Sequence, residues 1–220
     1  MIVRKLFTSY LCSKEDEFVS AILKKWKDLN PQFEIIYFSD LDIKKFFSNT
    51  KYESSYKKLK NGVAIADFFR ICYINEKGGY WFDIDLEPFK VNIPNDGQIH
   101  LFDCGYKNIS YMFIGGTKNK LYSDVIIEVE KNIENNFIEK KDHIIKITGP
   151  VVIQNIIFEK LNLQNKNGNL PGSNIPKKYL QNTEYEFYYT LQKVVNVKTN
   201  LYEKLQKKYN KLNYQKYNFI

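Results

Sequence analysis

Apolar positions in the first half of the chain alternate between short dense blocks and helically spaced stripes. Ile2-Val3-Arg4-Lys5-Leu6-Phe7-Thr8 combines β-branched and aromatic residues and predicts an opening strand. Ser13 then offers an N-cap, followed by Glu15, Asp16 and Glu17, and Phe18, Ile22, Leu23 and Trp26 recur at helical spacing. Residues 14–29 are therefore expected to form an amphipathic helix, stopped by Asn30-Pro31. The compact apolar run 33–38 predicts a buried strand, and Ser39-Asp40 caps a short helix ending near Phe47. Strand, helix, strand, helix is the rhythm of an α/β domain with a mostly parallel sheet.

From Val63 to Ile74 the chain would be apolar nearly all round as a helix, which implies burial. Asp67 and Arg70 interrupt it, and their i, i+3 spacing puts them on one face. Gly78-Gly79 ends the helix, and residues 80–88 are expected to form a short strand that pivots at its carboxylates. Residues 99–102 and 111–114 predict two more strands, 121–137 a helix, and 151–160 an apolar helix introduced by Thr148-Gly149-Pro150. Residues 162–172 turn to Asn, Gly and Pro and predict a loop, with a helix expected over 200–212. No internal repeat is visible. The expected organisation is one domain, with a core over 1–165 and a C-terminal loop and basic helical extension over 166–220.

Composition narrows the class. A chain of 220 residues with 44% hydrophobic and 26% charged residues suits one globular domain and excludes wholesale disorder. Cys12, Cys72 and Cys104 are odd in number and widely spaced, so neither a disulfide framework nor a thiolate zinc site fits. His100 and His143 are too few for histidine-based metal chemistry, which leaves carboxylates to hold any metal. No apolar run is long enough to span a bilayer, and the opening residues do not read as a signal peptide, so the expectation is a soluble cytoplasmic protein. A net charge of +8 favours phosphate-bearing partners without choosing among them.

Asp83-Ile84-Asp85 carries the chemistry. Residues i and i+2 of a strand project to one side, so both carboxylates would converge and repel unless a cation lies beside them. Hard oxygen ligands suit Mg²⁺ or Mn²⁺, which complete their shells with water and substrate phosphates. Gly78-Gly79 allows close backbone approach to a ligand, and Tyr80-Trp81-Phe82 would bury the strand and hold the acids at its end. Ligands in open α/β sheets bind beyond the carboxyl ends of strands, where this pair falls. Asp67 can accept from sugar hydroxyls, and Arg70 can present its fork to a carboxylate, hydroxyl or phosphate. A buried ion pair between the two is the plain structural alternative.

The run from Ala66 through Asp67, Arg70, Gly78-Gly79 and Tyr80-Trp81-Phe82 to Asp83-Ile84-Asp85 resembles the signature of the DXD-type sugar transferases of glycosyltransferase family 32. Trp26, Asn30-Pro31 and Asp40 are similar to a second family segment, and Thr148-Gly149-Pro150 to its Thr-Gly-Pro turn. The likeness covers roughly residues 1–160. It implies a GT-A type, Rossmann-like sheet flanked by helices, a nucleotide-sugar donor (UDP-sugar or GDP-mannose), a glycan or other hydroxyl acceptor, and a cofactor that is Mn²⁺ or Mg²⁺. Transfer with retention of configuration is implied too. Carried over by position, Asp83 and Asp85 would bind the metal, and Asp67, Arg70 and Asp83 the donor; Gly79, by the close backbone approach it allows, is a further donor-binding candidate. Thr8, Ser9 and Tyr10 would meet the nucleotide base. No catalytic nucleophile is assigned. Relatives often ligate the metal with a histidine-containing C-terminal segment, and no histidine follows His143, so Asn196, Asn200, water or no third ligand all stay open.

Two other classes compete. A metal-dependent phosphoryl or nucleotidyl transferase would use the same acids but normally needs a further carboxylate or a phosphate loop, and no GxxxxGK[ST] is present. A basic nucleic-acid-binding protein would interleave Arg, Lys and exposed rings on one face, whereas most rings here lie in core-like strands. Nucleic acid is not expected as a partner. The lysine-rich stretch 203–209 reads as a solvated helix face, with peripheral contact to an anionic membrane as the partner its charge suits.

Overall fold

The computed structural model describes residues 4–10, 16–92, 99–103, 109–135, 141–160 and 187–188. The first βαβ unit runs β1 (Lys5–Ser9), α1 (Glu17–Leu29), β2 (Glu34–Phe38), with β1 and β2 parallel from Lys5 opposite Glu34 to Ser9 opposite Phe38. Asp16, rather than Ser13, caps α1 by accepting from the Phe18 amide at 3.0 Å. The helix presents Phe18, Val19, Ile22, Leu23 and Trp26 to the sheet. Then follow α2 (Asp40–Ser48), capped by a reciprocal Ser39–Asp42 box, and α3 (Glu53–Lys58), a short helix that no periodicity announced.

The long apolar helix α4 (Gly62–Lys77) is capped by Asn61, whose Oδ1 accepts from the Val63 amide at 2.9 Å. It delivers the chain to β3 (Gly79–Phe82). Next come β4 (Ile99–Asp103), β5 (Ile109–Gly116), α5 (Lys120–Asn135), α6 (Lys141–Ile147), which was also not foreseen, α7 (Pro150–Lys160) and β6 (Phe187–Tyr188).

The strands form one sheet in the order β2-β1-β3-β5-β4-β6. β1/β2, β1/β3 and β4/β6 are parallel, whereas β3/β5 and β4/β5 are antiparallel. The sheet is thus mixed, though the parallel ladders are the majority. The five residues between β4 and β5 are too few for a crossover helix, which forces that pair to run antiparallel.

Strand alternation divides the core between the two faces of the sheet. Leu6, Tyr80 and Phe82 face α1 and join Phe18 and Trp26, while Phe7 and Trp81 face α4 and join Phe69 and Tyr73. Helices therefore cover both faces, as the sequence rhythm requires. Among the described residues no helix is long and apolar enough to cross a membrane. The loop expected over 162–172 and the helix over 200–212 lie outside the described residues, as do Asn196, Asn200 and 203–209.

Candidate active site

The chain passes from β1 to β2 on one side and then crosses to β3 on the other, so β1 and β3 flank a topological switch point. Such a point opens a crevice beyond the carboxyl ends of the two strands. The carboxyl end of β1 brings Thr8, Ser9 and Tyr10 there, and that of β3 brings Asp83. Thr8 is fully buried, with its Oγ1 unpartnered among the described residues. Ser9 is half-buried. Tyr10 is buried, its ring 5.6 Å from that of Phe18, and its carbonyl accepts from the Tyr37 hydroxyl at 2.7 Å.

β3 stops at Phe82, earlier than the strand over 80–88 expected from sequence, and Asp83-Ile84-Asp85-Leu86 is a turn closed by the Leu86 amide donating to the Asp83 carbonyl at 2.9 Å. Outside a strand, side chains at i and i+2 are not bound to project to one side. The two acids instead alternate with Ile84 and Leu86, which are buried, while Asp83 and Asp85 remain partly accessible. The Asp83 amide donates to the Met112 carbonyl at 2.8 Å, tying the start of the turn to β5.

Asp83 is clamped through one oxygen. Its Oδ1 accepts from the Trp81 indole Nε1 at 2.6 Å and from Arg70 Nη1 at 3.1 Å. Arg70 lies buried behind it, its guanidinium 4.4 Å from the Trp81 ring. Its Nη1 also donates to the Tyr111 carbonyl at 2.6 Å, Nε donates to the Ala66 carbonyl at 3.1 Å, and Nη2 pairs with Asp67 Oδ1 at 3.2 Å. The fork expected to face a ligand therefore spans Asp67, Asp83 and a strand carbonyl of the protein itself. One buried cation thus serves two carboxylates, and its removal would leave both without a partner.

Burial pushes the Asp67 carboxyl up to about 6, against the pull of Arg70, with Asp83 adding to the rise and a hydrogen bond with Thr148 opposing it. The neighbouring Gly149 approaches so closely that a Cβ there would lie 3.2 Å from Asp67 Oδ2 and 2.8 Å from the Ile145 Cα. The Thr-Gly-Pro turn is thus packed on Asp67, a placement its sequence motif did not disclose. Gly79 lies at the other end of β3 from Asp83, with φ +121°, and a Cβ there would stand 3.3 Å from Lys5 Cβ, the Lys5 carbonyl and Phe7 Cδ1. The close approach that it permits is strand on strand.

Residues 16–98 match the family model described as the glycosyltransferase sugar-binding region containing DXD motif. Over that segment the chain is similar to the DXD-motif glycosyltransferases. A solved structure named PaToxG Glycosyltransferase superposes with a TM-score of 0.55 at 14% identity, covering 73% of this chain and 70% of that one. At that identity the likeness concerns the fold, which is GT-A-like. No curated protein matches the sequence.

Within the matched segment, the structure brings Asp67, Arg70 and Asp83 into one network, leaves Asp85 two residues further along the same turn, and sets Gly79 apart. Trp81, which the sequence reading took as core, proves to be a direct partner of Asp83; an aromatic N–H two residues before an acid in a strand was the available signal. Among the described residues no three His, Cys, Asp or Glu side chains converge as an all-protein metal cage. Asp83 and Asp85, two partly accessible carboxylates on one turn, nevertheless suit Mg²⁺ or Mn²⁺, which typically take one or two carboxylates and complete the shell with substrate phosphates.

Proposed function

We propose that the protein transfers a hexose from a nucleotide-sugar donor, a UDP-sugar or GDP-mannose, to a hydroxyl of a glycan or other acceptor, with retention of configuration and with Mn²⁺ or Mg²⁺ as cofactor. The observation that carries this reading is the placement of the Asp83–Asp85 turn at the carboxyl end of β3, beside the switch point, with Asp83 oriented by two donors on a single oxygen.

The roles follow from position. Asp85 and the second oxygen of Asp83 hold the cation with the donor diphosphate. A bound divalent cation would neutralise the charge that builds on the departing diphosphate. Thr8, Ser9 and Tyr10 line the β1 side of the crevice, where the nucleotide sits. Asp67 accepts from hydroxyls of the donor sugar, and Arg70 orients both carboxylates from behind. Fixing donor and acceptor hydroxyl in one geometry supplies much of the remaining rate. Retention is supported by the resemblance of the 67–85 block to the retaining enzymes.

The test is a panel of nucleotide sugars with and without Mn²⁺, read by thermal shift and donor hydrolysis on the wild type and Asp85→Asn. One nucleotide class is expected to stabilise the wild type in the presence of metal, and Asp85→Asn to lose the metal-dependent part. Indifference of the wild type to every donor overturns the assignment.

A further inference from the structure

Asn30 follows the last residue of α1 and is fully buried. Its side-chain amide makes three hydrogen bonds. Nδ2 donates to the Trp26 carbonyl at 3.1 Å and to the Phe89 carbonyl at 2.8 Å, and Oδ1 accepts from the Val91 amide at 2.7 Å. The last two reach about sixty positions along the chain, to the segment that leaves the Asp83–Asp85 turn. A donor facing one carbonyl and an acceptor facing the amide two residues on is what one residue of a neighbouring parallel strand would offer. The Asn30 side chain therefore stands in for a missing strand around Lys90 and satisfies backbone groups that would otherwise be unpaired.

Helix capping does not account for this. The backbone amide of Asn30 already donates to the Trp26 and Lys27 carbonyls, at 3.0 and 3.2 Å, closing α1 without help from the bonds to 89 and 91. Trp26, one turn earlier, packs on the same stretch: its ring lies 4.3 Å from Phe82, just before the turn, and 5.3 Å from Phe89, just after it.

We infer that Asn30 is a positioning residue for the Asp83–Asp85 turn, fixing its downstream end as the bond from the Asp83 amide to β5 fixes its upstream end. The inference rests on the reading of that turn as the cation and diphosphate site. Asn30 touches neither carboxylate. It acts through the main chain, because two acids can share a cation only when the backbone between them is held to within about 0.5 Å. The same tether explains why an Asn-Pro element at the end of the first helix and an Asp-x-Asp element more than fifty residues later belong to one site.

The experiment compares wild type, Asn30→Asp, Asn30→Ala and Asp85→Asn. Asn30→Asp is isosteric and keeps the acceptor for Val91, but it turns an oxygen toward the Phe89 and Trp26 carbonyls. Mn²⁺ binding is titrated by the loss of the free-ion electron paramagnetic resonance signal, with Mn²⁺ alone and with UDP added. Amide hydrogen exchange is followed over 83–92, and donor KM and kcat are measured separately. In folded Asn30 variants Mn²⁺ affinity is expected to fall about tenfold, as for other outer positioning groups. Exchange over 83–92 should accelerate while β1 and β3 keep their protection, and KM should rise more than kcat falls.

A folded Asn30→Asp with wild-type Mn²⁺ affinity and wild-type exchange overturns the inference. Should both Asn30 variants fail to fold, the wild type decides: the Val91 amide must exchange as slowly as those of β3, and a fast Val91 amide overturns the tether. Absence of Mn²⁺ binding by the wild type is the separate failure of the site reading.

Discussion

The indole Nε1 of Trp81 donates at 2.6 Å to Asp83 Oδ1, the oxygen that Arg70 also reaches. Trp81 is held edge-on by Phe7 at 5.7 Å between ring centroids, with the Arg70 guanidinium over its own ring, so the donor has little freedom to leave Asp83. A hydrogen bond to a charged group in such a setting contributes roughly 1.5–3 kcal/mol. A double-mutant cycle of Trp81→Phe with Asp83→Ala, followed by urea denaturation, is expected to give a coupling of about 1–2 kcal/mol. Additivity of the two single effects would show that the short contact contributes nothing.

Arg70 is the only cation the described residues place between Asp67 and Asp83. Arg70→Leu leaves the buried Asp67 without its partner, a loss on the order of 3–5 kcal/mol. Asp67→Asn in the Arg70→Leu background is expected to recover part of that loss, because the charge needing compensation is gone. Arg70→Lys should recover little, since one ammonium cannot span two carboxylates and the Tyr111 carbonyl together. Denaturant midpoints of the four proteins check the order.

The raised carboxyl of Asp67 ties stability to pH. Its folded value, about 6, lies above the ordinary 3.8, so between the two the folded state binds more protons than the unfolded one. Stability then declines as pH rises from about 4 to about 6.5, by up to roughly 3 kcal/mol, and is flat with respect to this group on either side. Asp42 works in the opposite sense and lower down: a hydrogen bond from Ser39 holds it below 3.8, so its contribution is lost only as pH falls past that value. Chemical denaturation of the metal-free protein between pH 4 and 7 should show the decline, and Asp67→Asn should flatten it. A wild-type curve that rises across this window would contradict the assignment.

The parts of the fold that were legible in sequence are those with a strong local period. Phe18, Ile22, Leu23 and Trp26 announced α1, and the unbroken apolar run through Phe68 and Phe69 announced a buried α4. The six-residue α3 and seven-residue α6 were missed because one or two turns hold too few apolar repeats to register, and because tertiary packing decides such helices. Within the site, the juxtaposition of Asp67 and Arg70 followed from i, i+3 spacing. The convergence of Arg70 with Asp83, of Thr148 and Gly149 with Asp67, and of Asn30 with residues 89 and 91 depends on how helices dock on the sheet. No local pattern encodes those contacts.

Gly79 separates a structural demand from a functional one. Its φ of +121° disfavours any side chain, and a Cβ would press within 3.3 Å of Lys5 and Phe7 on the paired strand β1. Gly79→Ala is therefore expected to destabilise the protein by more than about 1 kcal/mol. The strain falls at the amino end of β3, four residues before Asp83, where the Trp81 and Arg70 clamp is independent of it. The folded fraction of Gly79→Ala should accordingly keep the wild-type KM for donor while its melting temperature drops. A raised KM in protein shown to be folded by circular dichroism would instead place Gly79 against the donor, as the close backbone approach expected from the sequence requires.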